Sequence, residues 1–176
     1  MLKIGILNVQ RCKKGDYEDE EYEKTTDKKP TFIKLINLQG GFYPRYAKDI
    51  ISHTTNKINV YLANKLSWGV YETTSVYIAL FSLKEGGLMI MKIDPVFTLY
   101  KMKLLYMISL CFETFYLEKI KKEVFIVCGG CKPFEKRTGL IYQLENVLRT
   151  ENFILDTTIP EETFAILQFF ACAVHT

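Results

Sequence analysis

The chain reads as an α/β protein, and three features predict that class. Short apolar runs rich in β-branched and aromatic residues alternate with longer segments of helical spacing. Gly-Gly pairs at 40–41 and 86–87 punctuate the ends of such runs. A hairpin signal follows late in the chain, where Phe112–Leu117 and Val124–Cys128 flank the charged stretch Glu118–Glu123. With 176 residues, 48% hydrophobic and 14% aromatic, the chain can build one domain-sized core. It divides into residues 1–30, a strand and a charged loop; 31–150, the main domain; and 151–176, a helix packed on it.

Taken in order, Met1–Val9 contains KIGILNV, a strand expected to add to the edge of a sheet. Lys13–Lys29 (KKGDYEDEEYEKTTDKK) has little apolar content and reads as a mobile surface loop, or as an acidic segment that docks a basic partner. Pro30 ends it. Thr31–Leu38 reads as a strand, Gln39–Phe42 as a glycine turn, and Tyr43–His53 as a helix with Tyr46, Ile50 and Ile51 on one face. Ile58–Ala63 is a strand ending at Asn64, and Trp68, Gly69 and Tyr71 form an aromatic loop. Thr74–Leu83 reads as a helix stopped by Lys84–Gly87.

Leu88–Ile93 is bounded like a buried strand and carries one lysine, Lys92, near its end. Pro95 can open the next helix, because its fixed φ suits the first turn and its missing N–H is not needed there. Leu99, Met102, Leu105, Tyr106 and Ile108 give Val96–Cys111 a helical period. The hairpin follows, with Glu123 opening its second strand. Leu140, Ile141, Leu144, Val147 and Leu148 define a helix over Thr138–Thr150. Pro160-Glu161-Glu162 opens a last, very apolar helix, with acids in its first turn. Phe169 and Phe170 lie on it, as core or as a face for another chain.

A net charge of +3 permits RNA binding without demanding it. No uncharged apolar run is long enough for a membrane span, and the start is a poor secretory signal. Five scattered cysteines suit a reducing compartment, cytoplasmic or nuclear. Cys128-Gly-Gly-Cys131 has the spacing of half a zinc site, but His53 and His175 offer no second half, so a strand end and a turn are the plainer reading.

Two features carry chemistry. A strand, a glycine turn and a helix at 31–53 is an arrangement that cradles cofactors beyond strand ends. A lysine ends one strand and a glutamate begins another, with a helical crossover between them. Each alone is an ordinary solvent-facing residue. Together, LKEGGLMIMKI, the helix and FETFYLEKIKKEVFIVCGGCK resemble the C-terminal half of the FtsJ/RrmJ-like ribose 2'-O-methyltransferases, most closely the branch that modifies mRNA caps. The resemblance spans residues 31 to 132. It implies a Rossmann-like methyltransferase sheet, mostly parallel with a C-terminal antiparallel strand, S-adenosyl-L-methionine as cofactor, and RNA as substrate.

The resemblance also assigns residues. The family's constellation is Lys-Asp-Lys-Glu; Lys92 stands for its second lysine and Glu123 for its glutamate. Asn64 stands where the family has aspartate, in VYLAN. The first lysine has no clear counterpart among Lys13, Lys14 and Lys34. Gly40, Gly41 and Phe42 match the end of the methyl-donor loop, with Asn37 at its start; the family's first glycine and its proline are absent. Too few residues separate Phe42 from Asn64 for the two strand-helix units the family holds there. The sheet is therefore reduced on that side, or the N-terminal strand supplies part of it. These departures imply a second reading: an inactive scaffold of the same fold that binds RNA or a protein partner.

Overall fold

The computed structural model describes residues 2–10, 17–26, 29–39, 51–52, 54–63 and 69–176, the backbone alone up to 39 and at 69–71. Among them seven strands form one mixed sheet in the order β2-β3-β1-β4-β5-β7-β6. They are β1 (Leu2–Gln10), β2 (Tyr17–Thr26), β3 (Lys29–Gln39), β4 (Ile58–Ala63), β5 (Leu83–Ile93), β6 (Phe112–Ile120) and β7 (Glu123–Cys131). Four helices join or follow them: α1 (Gly69–Ser82), α2 (Leu99–Leu110), α3 (Phe134–Thr150) and α4 (Glu161–Val174). The chain is thus α/β. Its mixed part from β4 to β7 has the expected antiparallel hairpin, with β7 opposed to both β5 and β6.

The N-terminal half departs from expectation. Tyr17–Thr26 is a strand, not a loop, and pairs antiparallel with β3. Its acidic composition hides it, yet a charged strand suits the outer edge of a sheet, where like charges discourage further pairing. β1 does not lie at the edge. It sits between β3 and β4, parallel to both. The KIGILNV run lacks polar alternation, as suits a strand with parallel neighbours on both sides. β1 thus fills a place in the sheet between β3 and β4. Most of the Tyr43–His53 helix, with the Gly40–Phe42 turn, Asn64 and Trp68, lies outside the described residues.

Other boundaries move by a few residues. Helix α1 begins at Gly69, so Gly69 and Tyr71 belong to a helix and not to a loop. Strand β5 begins at Leu83 and runs through Gly86 and Gly87, with a register shift against β4 between Ile58 and Val60. A Cβ on Gly87 would meet the Lys84 carbonyl at 2.9 Å and the Asn59 carbonyl at 3.2 Å, so the glycine is required by close backbone approach.

The two faces of the sheet differ. Tyr61, Ala63, Met89, Met91, Ile93, Val124, Ile126 and Cys128 share one face by register and are all buried. Right-handed crossovers place α1 (β4 to β5) and α2 (β5 to β6) on one common face, and α3 packs along α1. The alternate residues, Val60, Leu62, Ile90, Lys92, Phe125 and Val127, are only half-buried. Arg137 is fully buried and ties α3 to the layer beneath by donating to the carbonyls of Leu80 and Leu83. It lies 5.2 Å from the Phe134 ring. On α4, Phe170 packs on Phe97 at 5.9 Å, whereas Phe169 is 77% exposed and is not core.

Candidate active site at the carboxyl edge

Lys92 and Glu123 lie 31 residues apart and meet at the carboxyl end of β5. Strand pairing brings them there. Lys92 is opposite Phe125 and Ile93 opposite Val124, so Glu123, two residues before Phe125, shares the face of Lys92. The Lys92 amine donates to Glu123 Oε1 at 2.5 Å, with side chains 27% and 49% exposed. The pair is open to solvent and to a ligand on the half-covered face.

The same edge can be followed across the sheet. Leu38, Val9, Ala63, Met91 and Ile126 are successive register partners on β3, β1, β4, β5 and β7. Lys92 follows Met91 in this row, and Asn64, outside the described residues, follows Ala63. Asn37 lies within β3, opposite Asn8 of β1. The strand connections diverge at β1 and β4, and the carboxyl ends at such a switch point are where open α/β sheets bind ligands. Gly40 and Gly41 follow β3 in the sequence and lie outside the described residues. Lys34, within β3, pairs with Gly5 and Glu21; Lys13 and Lys14 lie outside the described residues.

A second ion pair near this edge was not anticipated from the sequence. Glu72, in the first turn of α1, accepts from Lys101 Nζ at 3.2 Å, with side chains 3% and 8% exposed. Glu72 also accepts from the Asp94 N–H at 2.6 Å, and Lys101 donates to the Asp94 carbonyl at 2.7 Å. The pair therefore fixes the backbone two residues beyond Lys92. Burial raises the Glu72 pKa above the usual carboxylate range, an effect the Lys101 charge opposes. Beside it, the Thr73 and Tyr100 hydroxyls bond at 2.8 Å, and burial pushes Tyr100 up to about 12. An acid in a first helical turn is a weak sequence signal, and nothing along the chain links it to a lysine 29 positions later.

Cys111, Cys128 and Cys131 are buried free thiols. Burial pushes Cys111 up to about 12 and Cys131 to about 11, and raises Cys128 as well, which disfavours the thiolate form. Among the described residues no cluster of three metal-ligating side chains exists, and no helix is long and apolar enough to cross a membrane.

No family profile matches the chain, and no curated protein matches it in sequence. Among solved structures, it is similar to a Plasmodium falciparum protein provisionally named a ribosomal RNA methyltransferase. The two are 13% identical, with a TM-score of 0.40, over 74% of this chain and 86% of that one. A likeness this loose carries no weight for function.

Proposed function

We propose that the chain is an S-adenosylmethionine-dependent RNA ribose 2'-O-methyltransferase of Rossmann-like fold, acting through Lys92 and Glu123. The observation that carries this reading is the meeting of those two side chains at the carboxyl edge of a sheet, as the resemblance to the cap-modifying branch requires. Bound S-adenosylmethionine would supply a methyl group on a sulfonium, ready for displacement. Asn37, near the carboxyl end of β3, and Gly40, Gly41 and Phe42, which follow that strand in the sequence, are the residues that would hold it.

A ribose hydroxyl is a poor nucleophile and must be aligned and relieved of its proton. An ammonium has three donors. One from Lys92 goes to Glu123, which leaves others to hold the hydroxyl oxygen in line with the methyl. Glu123, bonded to the Lys92 amine, fixes its direction and would accept the hydroxyl's proton.

Two observations favour the scaffold reading instead. The hairpin-like β1-β2-β3 excursion stands where the family has strand-helix units that approach the donor's ribose, and Asn64 removes a charge. Calorimetry with S-adenosylmethionine, followed by methyl transfer to capped RNA, separates the two. Heat of binding and transfer that disappears in Lys92→Met is the expected result. Absence of both heat and transfer would leave the scaffold.

A further inference from the structure

The tip of the β6–β7 hairpin carries features the proposed reaction does not use. Ile120 pairs with Glu123, so Lys121 and Lys122 alone form the turn. Both are exposed, and among the described residues neither has an ion-pair or hydrogen-bond partner. Lys119 is engaged, donating to the Ala173 carbonyl at 3.2 Å.

Lys121 has φ +58°, a backbone state that a two-residue hairpin turn normally gives to glycine or asparagine. The chain holds a long cation in a strained conformation, and strain retained at a surface tip points to a use for the side chain. The face behind the turn is aromatic and open. Tyr116 and Glu118 of β6 lie opposite Val127 and Phe125 of β7, on the side that carries Lys92. Tyr116 is 61% exposed and Ile120 55%. Lys92 and Glu123 neutralise each other and Lys119 lies on the opposite face, so at this hairpin end the cations of Lys121 and Lys122 stand against the single acid Glu118.

We propose that the hairpin tip and this face form the track of a single-stranded RNA, with Lys121 and Lys122 on its phosphates and a base on Tyr116. Cations at the tip of a strand face that carries an exposed aromatic further along it, next to an open polar pair, match a chain that alternates charge with flat apolar rings. The inference rests on the RNA reading of the Lys92–Glu123 site, and it names the surface that would hold the substrate's flanking nucleotides.

The 176-residue chain is titrated into fluorescein-labelled oligouridylate across a salt series, with anisotropy as readout. In Lys121→Gly/Lys122→Ser, loss of two phosphate contacts makes the slope of log K against log salt shallower by about 1.4. Its melting temperature does not fall, because glycine relieves the strained turn. Tyr116→Ala weakens binding about 5- to 150-fold, as loss of one stacked base requires. Unchanged slope and affinity in both variants overturn the proposal. So does tighter binding of the wild type to polyglutamate than to RNA, which assigns the tip to an acidic protein partner. Calorimetry with S-adenosylmethionine tests the methyl-transfer reading separately. RNA binding through the hairpin without donor heat keeps this inference and removes that one; donor heat with hairpin-independent RNA binding does the reverse.

Discussion

Two lysine–glutamate pairs stand near the same end of β5, and they differ in almost everything but chemistry. Lys92–Glu123 links two strands at the sheet's edge, with both side chains open to solvent. Lys101–Glu72 links the first turns of two helices beneath that edge, sealed from solvent. Its hydrogen bonds are with the Asp94 backbone, so its partners are internal. Water screens the first pair, so it contributes little to the fold and stays available to a ligand. The second is shielded, so each charge depends on the other. Burial, not residue type, separates a candidate site from a structural clamp.

The largest expected effect comes from breaking the clamp. Lys101→Met leaves Glu72 buried without its cation and lowers stability by about 3–5 kcal/mol. Urea unfolding measures it. The double variant Lys101→Met/Glu72→Gln recovers most of the loss, since Gln still accepts from the Asp94 N–H and no charge remains buried. A double variant as unstable as the single would mean that packing, not charge, holds this corner.

A smaller effect appears on titration. Because the folded-state pKa of Glu72 is raised above its ordinary value of 4.5, its contribution to stability is fully present below pH 4.5. That contribution is lost as pH rises through the raised value. The stability of wild type minus that of Glu72→Gln should therefore decline as pH climbs from 4.5 and then level off. A flat difference across that range would show that Lys101 fully offsets the burial of the carboxylate.

The contrast also explains what the sequence could and could not tell. That Lys92 and Glu123 lie at a strand end and a strand start was legible from apolar runs meeting turns, but only the family resemblance singled the two out, and their meeting appears only in the structure. The hairpin was legible from the same kind of boundary. Strand β2 was not, since YEDEEYEKTT offers composition that argues for solvent, and only pairing with β3 makes it a strand. The central position of β1 was equally hidden, because sequence order says little about neighbours in a sheet whose N-terminal strand inserts between two later ones. Glu72 and Lys101 were illegible for a stronger reason. Charged residues are rarely buried, so the pattern of α1 and α2 gave no cause to pair them.

The smallest expected effect on stability is the one that bears on function. Lys92→Met and Glu123→Gln should each change unfolding stability by less than about 1 kcal/mol, as exposed ion pairs do. Lys92→Arg preserves the charge and a bond to Glu123, but puts a planar fork where a compact amine stood. If the pair orients a ribose hydroxyl, Met and Arg both abolish transfer while the urea midpoint stays within that margin, and Glu123→Gln slows it. If Arg retains full transfer, the amine's shape is irrelevant and Lys92 merely supplies charge near the RNA. If stability falls by several kcal/mol instead, Lys92–Glu123 is a second clamp, and the distinction drawn from solvent exposure fails at the place where function was assigned.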